Sequence, residues 1–228
     1  MSVQPSQKSA PRSFSSVETW VFDLDNTLYP HDLNLWQQID DRIRSFVSDF
    51  LKVTKEEAFR VQKDYYKRYG TTMRGLVRHY GEDPKKFIRE THQFPELASM
   101  VIGENALGHA LARLGGRRLV FSNAPRHYVE EVLRALGVAR WFDAVYTIES
   151  TRYKPKPAFQ GFRVLLRAHN LEAHRCALID DMPENLRAAK RLGMSTVWVS
   201  GDTRRLPFAD LRVNSVTQLP RLVFRHTH

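Results

Sequence analysis

The sequence predicts an α/β fold: a Rossmann-like parallel sheet core with an inserted helical cap. Three observations carry this. From about residue 107 onward, short apolar runs alternate with helical patterns, which implies a mostly parallel sheet with helices on both faces. One further strand-like run, residues 19–24, stands far upstream, separated from the rest by helical periods over 34–106. Polar residues follow the apolar runs, at the strand ends where open α/β sheets bind ligands.

The elements follow in order. Residues 1–17 open with MSVQPSQKSAPRSFSS, rich in Ser, Pro and Gln and without an apolar stretch. They read as a disordered tail rather than a signal peptide. Residues 19–24 form the first strand. In LWQQIDDRIRSFVSDFL, Leu35, Ile39, Ile43, Phe46, Val47 and Phe50 recur at spacings of three or four, an amphipathic helical stripe. TKEEAFRVQKDYYKRYG opens on Thr54 and Glu57, a capping box, and stops at Gly70. TMRGLVRHYG and DPKKFIRETHQF are shorter helical pieces, the second with Asp83 as N-cap and Pro84 behind it.

RRLVFS, FDAVYTIE, RCALIDD and STVWVSG then read as strands. PRHYVEEVLRALG, KPAFQGFRVLLRAHN and PENLRAAKRLG read as the helices between them. The expected organisation is a tail over 1–17, a core over 18–33 and 107–228, and a helical cap over 34–106.

Composition narrows the function classes. A formal net charge of +10 points to anionic partners. Lys and Arg are scattered, however, with no run longer than three, and zinc-finger spacing and RNP-like aromatic motifs are missing. Nucleic acid is therefore not the expected partner; solvated helix faces plus a phosphate site are. No run approaches the roughly 18 apolar residues of a membrane span. The one cysteine, Cys176, sits in the apolar run CALI and fits a reducing, cytoplasmic setting. The histidines show no metal-ligand spacing and read mostly as surface or helix residues. Whether the chain is a monomer or a homodimer is open at this stage, since Trp141 and Phe208 suit a core or an interface equally.

The strand ends carry the chemistry. The first ends in Asp23 and Asp25, the next in Ser122 and Asn123. The third leads to Lys154, in YKPKP, and the fourth ends in Asp180 and Asp181. Acids converging beside one lysine repel without a cation, and oxygen-only ligands suit Mg²⁺. A lysine, a hydroxyl and the helix N-termini near Pro125 and Pro183 suit phosphate oxygens. The reading is a Mg²⁺-dependent phosphoryl-transfer site.

Asp23-Leu24-Asp25-Asn26-Thr27-Leu28 resembles the first motif of the haloacid-dehalogenase (HAD) superfamily. Ser122 resembles the second, Lys154 the third, and Asp180-Asp181 the acidic fourth. The helical block between the first two resembles the superfamily's helical cap. More narrowly, DLDNTLYP together with RYGTTMRGLVRHYG is similar to the pyrimidine 5'-nucleotidase branch. The resemblance implies that Asp23 is the nucleophile, forming an aspartyl-phosphate, and that Asp25 is the acid–base. It implies that Ser122 and Lys154 hold phosphoryl oxygens. It implies Mg²⁺ on Asp23, Asp181 and the main-chain carbonyl of Asp25, with Asp180 supporting. Asn185 is expected to help at the metal, and Asn123 and Thr27 to order loops or touch phosphate. Arg74 is the candidate for leaving-group recognition. Dehalogenases lack the second aspartate, so Asp25 favours phosphate esters. The expected substrate is a small phosphorylated metabolite, foremost a pyrimidine nucleoside 5'-monophosphate. Phosphoglycolate, a sugar phosphate or pyridoxal phosphate is the same-fold alternative. A non-catalytic binding protein using its basic surface is the alternative from another class.

Overall fold

The computed structural model describes residues 14–30, 35–94, 97–101 and 105–223. Its centre is a six-stranded sheet in the order β3-β2-β1-β4-β5-β6, every pairing parallel. The strands are β1 (Thr19–Phe22), β2 (Arg117–Phe121), β3 (Ala144–Tyr146), β4 (Cys176–Asp180), β5 (Ser195–Val199) and β6 (Leu211–Val213). The upstream strand β1 sits in the middle, with Val21 opposite Leu119 of β2 and Leu178 of β4. Strand order reverses between β1 and β4, so their carboxyl ends flank the topological switch point, where such sheets bind ligands.

Strand alternation divides the core into two layers. Trp20, Phe22 and Leu24 pack with α6 (Asn105–Arg113) and α7 (Arg126–Ala135) through Leu107, Leu111, Tyr128 and Val129. Val21 points the other way, to Phe162 and Leu165 of α8 (Phe159–Ala168) and Leu186 of α9 (Pro183–Arg191). Burial on both faces explains why β1 reads as a continuous apolar run.

Between β1 and β2 lie α1 (Leu35–Leu51), α2 (Lys55–Tyr69), α3 (Thr72–Tyr80), α4 (Pro84–Thr91) and α5 (Leu97–Met100). The stripe of α1 serves two cores. Leu35 and Ile39 join the sheet's cluster, whereas Phe46 and Val47 join a separate one with Ala58, Tyr65, Leu76 and Phe87. Each of the buried Leu, Ile, Val and Phe side chains contributes roughly 1.5–3 kcal/mol. Thr54 Oγ1 accepts from Glu57 N at 3.2 Å, and Asp83 Oδ1 accepts from Lys85 N at 3.0 Å. Gly70 closes α2 in the left-handed region at φ 85°, as only glycine does readily. Gly75 has another reason: a Cβ there would lie 2.3 Å from the Tyr65 ring, so α2 and α3 meet only over a bare backbone.

Some elements differ from expectation. Phe14–Ser16 form a 3₁₀ turn, and Phe14 stacks on Trp20 at 6.0 Å between ring centroids, inside the stretch read as tail. Residues 1–13 lie outside the described residues. Strand β6 and the short α10 (Leu219–Val223) have no counterpart in the sequence reading. Each is too short for a period to register, and β6 exists because β5 offers it an edge. No helix among the described residues is long and apolar enough to cross a membrane.

Candidate active site

Two neighbouring strands deliver three carboxylates to one point. Asp23 follows β1 directly, and its N–H continues the ladder to Ile179 O at 2.9 Å. The chain then turns sharply. Asn26 takes φ 58°, and Leu28 N returns to Leu24 O at 3.0 Å. Asp180 is the last residue of β4, and Asp181 follows it. Oxygens of Asp23, Asp180 and Asp181 all lie within 4.8 Å of one another.

The lysine among them is Lys156, which corrects the expectation of Lys154. Lys156 Nζ donates to Asp23 Oδ1 at 2.7 Å and to Asp180 Oδ2 at 2.8 Å, and its side chain is 1% exposed. Lys154, two residues earlier, is exposed. The physical reason is a main-chain clamp. Asn123 donates from Nδ2 to Lys156 O at 3.0 Å and accepts Lys156 N at Oδ1 at 2.8 Å. This pins the Lys156 peptide against the end of β2 and points its side chain under the carboxylates. The Nζ also sits 5.3 Å over the Phe121 ring. Asn123 is therefore a loop-ordering residue here.

Asp180 is fully buried and saturated. Besides Lys156 it accepts Met182 N at 2.9 Å and Asn185 Nδ2 at 2.9 Å. Asn185 thus reaches Asp180, as a buttress. Thr27 Oγ1 lies 3.4 Å from Asp23 Oδ2, and Ser122 Oγ accepts Ala124 N at 3.0 Å. Ser122, Asn123, Asp181 and Asn185 line the same cleft as Asp23 and Asp25. Arg74 lines it too, with a guanidinium nitrogen 3.5 Å from Tyr69 O. The first N–H of α7, at Arg126, donates to the Glu149 carboxylate at 3.2 Å.

Two residues that the sequence did not single out hold Asp25. Tyr128 donates to its Oδ1 at 2.8 Å, and Tyr29 donates to the same oxygen. The two hydroxyls are 3.1 Å apart. Tyr29 lies four residues past Asp25 and was open to a local guess; Tyr128, on α7, had no local signal.

The electrostatics follow from crowding. Burial pushes Asp23 up to about 7, against Lys156 and with help from Asp180 and Asp25. Burial, then Asp23 and Asp180, push Asp181 up to about 8. Burial also raises Asp25, while the two tyrosine hydroxyls pull it back. Burial opposes the charge on Lys156, but Asp180 and Asp23 more than reverse this, and its pKa sits above the ordinary lysine value.

A protein-family model described as haloacid dehalogenase-like hydrolase matches residues 17–193. The chain belongs to this family. Phosphate metabolism protein 8 of Saccharomyces cerevisiae is 24% identical over 196 residues, 79% of this chain and 60% of that protein. Validoxylamine A 7'-phosphate phosphatase of Streptomyces hygroscopicus subsp. limoneus is 30% identical over 125 residues, 54% of this chain and 58% of that one. The chain thus spans about three-fifths of the length of these curated relatives. A HAD phosphatase from Thermococcus onnurineus shares the fold at TM-score 0.64 and 18% identity, over 91% of this chain and 98% of that one.

Within a haloacid dehalogenase-like hydrolase, the acidic cluster invites a fit test for a divalent cation. Three carboxylates converge, two of them, Asp23 and Asp180, on one ammonium group, and Asp23 and Asp181 are pushed to near-neutral pKa values. An all-oxygen donor set of this charge fits a hard cation such as Mg²⁺. The cleft and the space above it form one cavity of about 770 Å³ between the sheet and the helices α1–α4. Two of its lining residues were not foreseen. His92, one of the histidines read mostly as surface or helix residues, has its pKa lowered to about 3 by burial and by His127, so it is neutral. Tyr66 of α2 has its hydroxyl raised to about 12 by burial and by the charges of Asp181, Glu184, Asp180 and Asp23.

Proposed function

We propose that the protein is a Mg²⁺-dependent phosphomonoesterase that works through an aspartyl-phosphate on Asp23. Pyrimidine nucleoside 5'-monophosphates are the proposed substrate class. The observation that carries this is the division of labour between two carboxylates two residues apart. Asp23 is paired with the buried Lys156, whereas Asp25 is held separately by two tyrosine hydroxyls. Lys156 and a bound cation would keep Asp23 anionic for attack against the burial that raises it; Asp25, held apart by the tyrosines and also raised by burial, is suited to carry a proton.

In the proposed reaction an Asp23 oxygen attacks phosphorus as the ester P–O bond breaks. The leaving alkoxide takes the proton of Asp25. Asp25, now a carboxylate, removes a proton from water whose oxygen attacks the phosphoryl group. The P–O bond to Asp23 breaks, and inorganic phosphate departs. Lys156 and Ser122 hold phosphoryl oxygens; the Ser122 oxygen accepts Ala124 N, which leaves its O–H free to donate. Mg²⁺, held by Asp23, Asp181 and the Asp25 main-chain carbonyl with Asp180 behind, supplies charge neutralisation when bound. Asp180, committed to three other partners, acts as support.

Residues 34–106 are proposed to be a cap that closes over the site and excludes water, on a core of 18–33 and 107–228. A cavity of about 770 Å³ supports a leaving group larger than that of phosphoglycolate. The test is phosphate release from UMP, CMP, AMP, GMP, phosphoglycolate, sugar phosphates and pyridoxal phosphate with Mg²⁺, against EDTA and Asp23→Asn controls. UMP and CMP should lead by about tenfold. Another leading ester overturns the substrate class. No Asp23-dependent release overturns the enzyme reading and favours a binding protein.

A further inference from the structure

One imidazole in the cavity has its hydrogen-bonding role fixed by its neighbours. His92, just past α4, is half-buried and lines the cavity. Its Nδ1 lies 2.7 Å from Thr91 Oγ1, and the same Oγ1 donates to Phe87 O at 2.7 Å. A threonine hydroxyl has one proton and a main-chain carbonyl can only accept, so that proton is committed to Phe87 O. Two lone pairs do not rest at such a separation, so Nδ1 carries the imidazole proton and donates it to Oγ1. Burial and His127 keep the ring neutral. A neutral imidazole protonated at Nδ1 has a bare lone pair at Nε2.

Nothing among the described residues takes up that lone pair. Nor is Nε2 one of the buried side-chain atoms sealed away without a partner. Thr91, on the Nδ1 side, is fully buried and does not line the cavity, so the ring turns its other edge to the open space. The imidazole is also held in place. His127 Nε2 donates to His92 O at 3.0 Å, and the His92 ring stands edge-on to Tyr128 at 5.9 Å between centroids. Tyr128 in turn donates to Asp25 at 2.8 Å. One aromatic ring therefore separates this imidazole from the carboxylate proposed to protonate the leaving oxygen. An acceptor at that place meets the leaving group close to the ester bond.

We infer that His92 is a specificity-determining residue whose Nε2 accepts a hydrogen bond from a hydroxyl of the leaving group. The site then selects alcohols that carry a second hydroxyl near the ester oxygen. A leaving group offering only a carboxylate there, as phosphoglycolate does, sets lone pairs against a lone pair. In a nucleoside 5'-monophosphate the ribose 3'-hydroxyl is the one nearest the ester oxygen, and it is the assigned donor. The inference rests on the phosphomonoesterase reading and deepens it: Thr91 fixes the tautomer, and His92 reads the sugar.

The experiment compares kcat/KM of the full chain with Mg²⁺ on UMP, 3'-deoxy-UMP, 2'-deoxy-UMP and p-nitrophenyl phosphate. The wild type should favour UMP over 3'-deoxy-UMP by about tenfold or more, and over 2'-deoxy-UMP by no more than about twofold. His92→Phe keeps an aromatic ring and removes the acceptor. It should bring the UMP to 3'-deoxy-UMP ratio to within about twofold and leave p-nitrophenyl phosphate, whose leaving group has no second hydroxyl, near the wild-type rate. Nitrogen NMR of the Asp23→Asn protein should show the His92 proton on Nδ1. Equal wild-type rates on UMP and 3'-deoxy-UMP overturn the assignment while the phosphatase stands, and this comparison needs no variant to fold. A ratio unchanged in His92→Phe, or a proton on Nε2, also overturns it. Hydrolysis of p-nitrophenyl phosphate but not of UMP overturns it together with the nucleotide substrate class. Failure to hydrolyse any of the four overturns the enzyme reading itself.

Discussion

Tyr128 and Asp25 are separated by 103 positions in the chain and by 2.8 Å in the fold, hydroxyl to carboxylate. With Tyr29 on the same oxygen, the pair fixes the rotamer of the proposed acid–base and stabilises its anion. Tyr128→Phe removes one donor. Hydrogen bonds to charged groups contribute about 1.5–3 kcal/mol, so turnover of an alkyl phosphate should fall roughly ten- to hundredfold. p-Nitrophenyl phosphate, whose leaving group needs no proton, should suffer much less. The tyrosine bonds hold the Asp25 pKa down, so losing one raises it and moves upward the alkaline limb of the pH–rate profile, where Asp25 loses the proton it gives. Equal losses on both esters with an unmoved profile would sink this role.

The lysine assignment gives a paired test. Lys156→Met leaves Asp23 and Asp180 buried without their cation and should cost about 3–5 kcal/mol in urea unfolding. Phosphate release should vanish as well. Lys154→Met changes an exposed side chain and should stay within about 0.5 kcal/mol. The reverse order of effects would return the site to Lys154.

Metal and pH should be coupled. The folded pKa values of Asp23 and Asp181 stand near 7 and 8, above the ordinary 3.8. Between about pH 4 and pH 8 the metal-free folded protein binds protons that the unfolded chain releases, so these two groups lower stability as pH rises. Mg²⁺ competes with the same protons. The rise in thermal midpoint that Mg²⁺ gives over EDTA should therefore be larger at pH 8 than at pH 5. An equal rise at both would show that the ion binds elsewhere.

Gly75→Ala tests how α2 and α3 meet. A methyl 2.3 Å from the Tyr65 ring forces a shift despite the better helix propensity of alanine. A loss of about 1–3 kcal/mol in chemical denaturation is expected. Stabilisation instead would mean that the helices separate easily at this point.

The acids were legible in sequence because each follows an apolar strand directly. A parallel sheet brings the ends of β1 and β4 together whatever the helices do. Helix limits such as Thr54, Gly70 and Asp83 were legible for a similar reason: capping is a contact within a few residues. YKPKP offered two lysines within three residues of one another, and periodicity has no purchase on a loop. Arg152 and Tyr153 take positive φ there, and only the Asn123 clamp decides which lysine turns inward. That Glu149, 23 residues on, occupies the first N–H of α7 had no local signal either.

By itself, then, the sequence determined the parallel α/β core, the helical block inserted after its first strand, and the carboxylates at the strand ends. These rest on local polarity and short-range backbone bonding. Tertiary structure alone decided that Lys156 is the buried cation and that Tyr128 grips Asp25. Each depends on groups far apart in the chain meeting in a low-dielectric interior. There, a hydrogen bond or a charge pair is worth too much to leave unmade.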